Sequence, residues 1–69
     1  MPELDVGAVT VKAARKEAGL TQAHLAQRVG VSRQTVISIE RGDYAPSVYL
    51  ALRIARELRT SVERLFPLD

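Results

Sequence analysis

Residues 20–47 read LTQAHLAQRVGVSRQTVISIERGDYAPS. Two short segments here carry apolar residues at helical spacing, and each begins after a good N-capping residue and ends at a glycine. Thr21 precedes the first segment and Gly30 ends it, whereas Ser32 precedes the second. Only Val31 separates that glycine from the second cap. So short a connection predicts two helices joined at a sharp angle, with Val31 packed between them.

The same signals predict three more helices outside this stretch. The first is expected from residue 9 to Gly19, the fourth from residue 48 to about Leu58 after a Ser47 cap, and the last over 62–66. We therefore predict an all-α bundle of five helices. The apolar residues expected inside it are Val11, Ala14, Ala18, Leu25, Ala26, Val29, Val36, Ile39, Leu50, Ile54, Ala55 and Leu58.

The chain has 69 residues and no cysteine, so we expect one domain without disulfides or thiolate metal sites. We predict an N-terminal extension over 1–8, the domain over 9–66 and a tail over 67–69. The acidic start and the lack of a long apolar run indicate neither a secretory signal nor a membrane span, which favours a cytoplasmic protein. A core this small is marginal, and dimerisation would add buried area.

Positive charge is concentrated in the middle of the chain. Residues 21–64 contain seven arginines against four acidic residues, although the net charge of the whole chain is only +2. A basic excess of this size permits nucleic-acid binding without demonstrating it.

The third predicted helix carries side chains suited to reading DNA on the face opposite its apolar residues. Arginine can pair with guanine and glutamine with adenine in bidentate fashion, and isoleucine can pack on a thymine methyl group. Any exposed helix can also carry such residues as solvated surface. The outward residues are Arg33, Gln34, Ile37, Ser38 and Arg41.

The quoted stretch closely resembles the helix-turn-helix of the Xre/Cro-like, lambda-repressor-like family. The resemblance covers residues 9–66, and within the family it is greatest to the short stand-alone repressors, of which the cytolysin-operon repressor is one. It rests on Leu20–Gln22, Leu25-Ala26, Val29–Thr35, Ile39-Glu40, Gly42 and Pro46-Ser47. The resemblance implies a lambda-repressor-like bundle and a transcriptional repressor that binds the DNA major groove as a homodimer, without a cofactor.

The resemblance also implies residue roles. The residues implied to read DNA bases are Arg33, Gln34, Ile37 and Ser38. The residues implied to contact the DNA backbone are Thr21, Gln22, Ser32, Thr35 and Arg41. Among them, Gln22 is implied to bind a phosphate at a helix N-terminus. Arg15 and Glu40 match a buried ion pair that joins the first helix to the third.

Three positions depart from the family pattern. Ala45 stands where relatives often have asparagine, so a loop contact with the DNA backbone is expected to be missing. Arg59 replaces glycine or asparagine at the end of the fourth helix, and a left-handed residue there would cost about 1 kcal/mol. Ile37 is more apolar than usual, which suits either a thymine contact or a simple exposed apolar residue.

The C-terminal end offers apolar residues that we expect one small bundle cannot cover by itself. We therefore predict a dimer interface at Val62, Leu65, Phe66 and Leu68. Residues 2–9 could pair with residues 66–68 as a short strand or fray. An alternative function is an antitoxin-like module that binds a partner protein through the same surface and autoregulates its own operon. The chain shows no catalytic constellation, and His24 without a second histidine or cysteine argues against a metal site.

Overall fold

The computed structural model describes residues 8–68, and that part of the chain is all-helical, with five helices and no strand. The prediction of an all-α, five-helix bundle is confirmed. In chain order the helices are α1 (Val11–Glu17), α2 (Gln22–Val29), α3 (Arg33–Arg41), α4 (Val48–Glu57) and α5 (Val62–Leu65). Helix α2 packs on α3 and α4, while α1 packs on α3 and α5 on α4.

Every helix begins at a hydroxyl cap. The side-chain oxygen of the cap accepts a hydrogen bond of 3.0–3.2 Å from the backbone N–H three residues later. Each such bond satisfies an N–H group that has no partner within the helix and stabilises the domain by about 1 kcal/mol. The five caps are Thr10, Thr21, Ser32, Ser47 and Ser61. Thr10 alone was not expected, because the apolar pattern placed the start of α1 too early.

The first four helices end in one backbone motif. A residue in the left-handed region turns the chain, and the N–H of the next residue bonds back to a carbonyl five residues earlier over 2.9–3.1 Å. Glycine takes the left-handed position at the ends of α1, α2 and α3. At the end of α4 it is Arg59, with φ of 57°, and the N–H of Thr60 bonds to the carbonyl of Ala55. The expected strain at Arg59 is therefore present.

The core lies where α2, α3 and α4 meet. Leu25 and Ile54 have no exposed surface, and Val29 and Val36 are 1% exposed. The expected inward residues are buried, with one exception. Ala18 is exposed, because α1 ends at Glu17 and Ala18 already belongs to the turn. The complete buried cluster is Val11, Ala14, Leu25, Ala26, Val29, Val36, Ile39, Leu50, Ile54, Ala55, Leu58 and Leu65.

The C-terminal end packs differently from the expectation. The premise that one bundle cannot cover Val62, Leu65 and Phe66 is wrong, since Leu65 is only 6% exposed and the other two are partly buried against the core. The short α5 bends back onto α4, which brings these side chains inward. Leu68 is 98% exposed. Leu65 is thus a core residue of its own domain, and Leu68 is the fully exposed member of the predicted set.

The N-terminal side of the domain is joined to α5. The N–H of Val9 donates a 3.0 Å hydrogen bond to the carbonyl of Arg64. The suggested pairing of residues 2–9 with residues 66–68 otherwise lies outside the described residues. The predicted domain limits remain a prediction.

We expect Arg59→Gly to raise the free energy of unfolding by about 1 kcal/mol, because glycine takes the left-handed conformation without the clash of a β-carbon. Chemical denaturation measures the effect. Arg59→Ala is the matched control, since it removes the same side chain but keeps the β-carbon. Equal stabilities for the two variants would show that the backbone at Arg59 is not strained.

Candidate nucleic-acid interface

The turn between α2 and α3 sets the angle at which α3 leaves the bundle. Gly30 has φ of 80°, and Val31 packs against the core between the two helices, as predicted. Arg53 of α4 reaches this turn and donates a 3.2 Å hydrogen bond to the carbonyl of Val29. A β-carbon on Gly30 would lie 3.3 Å from Nη1 of Arg53, so glycine leaves room for the guanidinium. Arg53 is an exposed residue of α4, and the sequence pattern did not indicate this contact.

Helix α3 presents the four predicted base-reading residues on one side. Arg33 and Gln34 are exposed on its first turn, and Ile37 and Ser38 are half-buried one turn later. Val36 and Ile39 are buried on the opposite side. The structure therefore brings the predicted readers together on an outward face.

The predicted backbone-contacting hydroxyls lie at the N-termini of α2 and α3. Thr21 and Ser32 are the caps of these helices, and the hydroxyls of Ser32 and Thr35 lie 3.0 Å apart. A capping oxygen uses one lone pair, so the hydroxyl hydrogen of Thr21 stays available as a donor, whereas one of the Ser32 and Thr35 hydroxyls donates to the other and a single hydrogen of that pair stays available. Two helix N-termini with free hydroxyl donors suit contacts with phosphate oxygens.

A buried ion pair joins α1 to α3. Nε of Arg15 contacts Oε2 of Glu40, and Nη2 donates to Oε1 over 3.3 Å. The two side chains are 8% and 4% exposed. Nη1 of Arg15 also donates to the carbonyl of Leu20 over 2.9 Å, which fixes the end of α1. The pair that the resemblance implied is thus present.

Gln22 lies between this ion pair and the outward face of α3. Its Nε2 donates to Oε1 of Glu40 over 3.1 Å, and its Oε1 accepts from Nη2 of Arg33 over 3.5 Å. An amide nitrogen carries two hydrogens, so one of them remains available for a phosphate. The sequence placed Gln22 at the start of α2 correctly but did not indicate that it contacts Glu40.

The pKa of Glu40 lies below its ordinary value of 4.5. Burial of the carboxyl group raises the pKa, but hydrogen bonds from Arg15 and Gln22 and the positive charges of Arg15 and Lys12 lower it by more. The carboxylate therefore stays ionised at neutral pH, as the ion pair requires.

A shallow concavity of about 300 Å³ lies beside α3 on the outward side. Four of its six lining residues were predicted to contact DNA, namely Ser32, Gln34, Thr35 and Ser38. The other two, Asp43 and Tyr44, come from the loop after α3 and were not predicted. The glycine at residue 42 indicates that the chain turns after α3, but it does not indicate which loop residues lie beside the helix.

Comparison with known proteins agrees with this geometry. The family model described as "Helix-turn-helix" matches residues 11–65, which include each of the helices α1–α5 found within residues 8–68. The chain belongs to the Xre/lambda-repressor-like helix-turn-helix family. Its relatives extend across archaea and bacteria, and the alignments cover most of both chains.

An "Uncharacterized HTH-type transcriptional regulator" of Methanothermobacter thermautotrophicus is 61% identical over 56 residues, which cover 80% of this chain and 81% of the relative. The "Uncharacterized HTH-type transcriptional regulator YgzD" of Bacillus subtilis is 46% identical over 59 residues, which cover 86% and 89%. The family is one of DNA-binding transcriptional regulators. Within residues 8–68, none of the helices has the length and apolar character needed to span a membrane.

We expect Glu40→Gln to lower the free energy of unfolding by about 3 kcal/mol, because Arg15 would remain as an uncompensated buried charge. Replacing both partners, as in Arg15→Met with Glu40→Leu, should cost much less. Chemical denaturation at pH 7 compares the three proteins. If the double variant lost as much stability as the single one, desolvated charge would not be the reason for the loss.

The wild-type protein should also lose stability in acid. The folded pKa of Glu40 is depressed, so its contribution is present above pH 4.5 and disappears as the pH falls through the folded value. The double variant lacks this part of the pH dependence. If the difference in unfolding free energy between the wild type and the double variant stayed constant from pH 7 to pH 3, the loss of stability in acid would not come from Glu40.

Proposed function

We propose that this protein represses transcription by binding a palindromic operator as a homodimer. The observation that supports this best is the outward face of α3, where Arg33, Gln34, Ile37 and Ser38 lie together beside the N-terminus of α2. In this arrangement a helix enters the major groove while its neighbour crosses the DNA backbone. The protein would act in the cytoplasm, bound to chromosomal DNA.

The two sets of residues have separate tasks in the proposed complex. Arg33 recognises a guanine and Gln34 an adenine, Ile37 packs on a thymine methyl group, and Ser38 donates to or accepts from a base edge. The backbone set fixes the position of α3 through contacts with phosphates. This set consists of Thr21, Gln22, Ser32, Thr35 and Arg41.

We place the dimer interface on the exposed apolar residues of α4 and the loop before it. This α4 face consists of Tyr44, Val48, Tyr49 and Leu52, which are 47%, 77%, 79% and 53% exposed. It replaces the interface predicted at residues 62–68, because Leu65 is buried and Val62 and Phe66 pack on their own core. Pairing the α4 faces would bury roughly 1,000 Å² in total, near the lower limit for a specific interface.

The position of the α4 face supports a second copy of this chain as its occupant. The loop that carries Tyr44 follows α3 directly, so a two-fold axis through the face holds two α3 helices side by side on the same side of the dimer. Two-fold symmetry then predicts inverted half-sites, and dimers of this kind bind half-sites one DNA turn apart, at roughly 34 Å. A dimer on such an operator blocks access of RNA polymerase to an overlapping promoter.

Selection of bound duplexes from a random DNA library at 100 mM salt tests the proposal. The proposal predicts a selected site made of two inverted half-sites. Its repressor role is then measured with a reporter promoter that contains the selected site. Recovery of no common sequence, or of a common sequence that does not reduce reporter expression, would contradict the proposal.

Arg33→Ala and Gln34→Ala should each weaken binding to the selected operator by about 1–3 kcal/mol and relax the preference at one base pair per half-site. The reason is that each side chain reads a base edge from the first turn of α3. Arg56→Ala, which removes an exposed arginine from α4, is the control. Equal losses on operator and random duplexes would assign Arg33 and Gln34 to the DNA backbone instead.

Val48→Asp and Tyr49→Asp should convert a dimer into a folded monomer that binds one half-site weakly. Both residues are largely exposed in the single chain, so the charge disturbs the contact between copies and leaves the core intact. Sedimentation at micromolar concentration gives the oligomeric state, and circular dichroism checks the fold. Leu68→Asp is the control, since Leu68 is exposed outside the α4 face. Dimerisation that survives in both α4-face variants would place the interface elsewhere.

A further inference from the structure

Asp43 is an acidic residue in the surface that would face DNA in the proposed complex. It lines the concavity beside α3 together with Ser32, Gln34, Thr35, Ser38 and Tyr44, and it is the charged member of that set. Its side chain is 60% exposed. By contrast, Glu40, the other acidic residue in this region, is buried and neutralised by Arg15. The carboxylate of Asp43 is thus the negative charge that the proposed interface would present to DNA.

The backbone holds Asp43 in this position. Its N–H donates a 2.9 Å hydrogen bond to the carbonyl of Ser38 in the motif that ends α3, and Gly42 supplies the left-handed turn with φ of 80°. The carboxylate therefore stays beside α3 unless the end of the helix rearranges.

Asp43 also contacts a cation of the proposed interface. Nε of Arg41 lies 3.4 Å from Oδ2 of Asp43, and the Arg41 side chain is 71% exposed. A pair this exposed contributes little to the stability of the fold. Its main effect falls on what Arg41 can bind, because a phosphate must compete with Asp43 for the guanidinium.

We propose that Asp43 limits the affinity of this protein for DNA of any sequence. The inference rests on the proposed function. The carboxylate repels nearby phosphates and competes with them for Arg41. The interface therefore makes about one phosphate contact fewer than it would make without Asp43. Non-specific binding depends almost entirely on such contacts. Asp43 therefore keeps the protein from being retained on the large excess of non-operator DNA.

The test is Asp43→Asn, which keeps the shape of the side chain and removes its charge. Glu63→Gln is the matched control, because it changes the net charge equally on the exposed side of α5. Affinity for a random-sequence 20-base-pair duplex and for the selected operator is measured between 50 and 200 mM salt. Asp43→Asn should bind the random duplex about 3- to 10-fold more tightly at the lowest salt, with a salt slope steeper by about 0.9. Glu63→Gln should change the affinity for the random duplex by less than 2-fold.

A second arm separates the two effects of the carboxylate. In an Arg41→Gln background, Asp43→Asn should strengthen binding by a smaller factor, since no guanidinium is released.

The inference is overturned if Asp43→Asn has the same affinity for the random duplex as Glu63→Gln. It is also overturned if Asp43→Asn weakens operator binding and changes a base preference, which would make Asp43 a base reader. Selection of an operator by the wild type reports on the proposed function separately.

Discussion

The ion pair between Arg15 and Glu40 is the interaction on which the arrangement of this domain depends. It joins α1 to α3, and the same carboxylate accepts from Gln22 at the start of α2, so three helices share one buried group. Desolvation of two charges is costly, and only close geometry with additional hydrogen bonds offsets it. The helices are consequently held in one arrangement. Gln22, which donates to Glu40, also accepts a hydrogen bond from Arg33, so one side chain connects the buried ion pair to the outward face of α3.

Local signals in the sequence were sufficient for most of the fold. The caps at Thr21, Ser32, Ser47 and Ser61 and the three terminal glycines act within one or two helical turns, so their positions predict helix limits directly. The outward face of α3 followed from the same periodicity. The contact between Arg15 and Glu40 came instead from the family resemblance, because residues 25 positions apart carry no local sign of proximity.

The features that could not be predicted are those decided by tertiary packing. Periodicity identifies Leu65 as apolar but does not show whether a four-residue helix folds back on its own domain or meets another. Nor does periodicity show that the long side chain of Arg53, on the exposed face of α4, reaches the carbonyl of Val29 at the turn between α2 and α3. Asp43 was overlooked because a loop residue has no periodic position, and only the structure places it beside Gln34.

The hydrogen bonds on the outward face of α3 are unevenly distributed. Within residues 8–68, the side chains of Gln34 and Ser38 form no hydrogen bonds, whereas Ser32 and Thr35 hold the start of the helix and Arg33 contacts Gln22. Replacement of Gln34 or Ser38 therefore removes no side-chain hydrogen bond from the fold, while replacement of Ser32 removes a helix cap. In the proposed complex, the positions that read bases are thus separate from the residues that hold the fold, so the recognised DNA sequence can change while the scaffold stays the same.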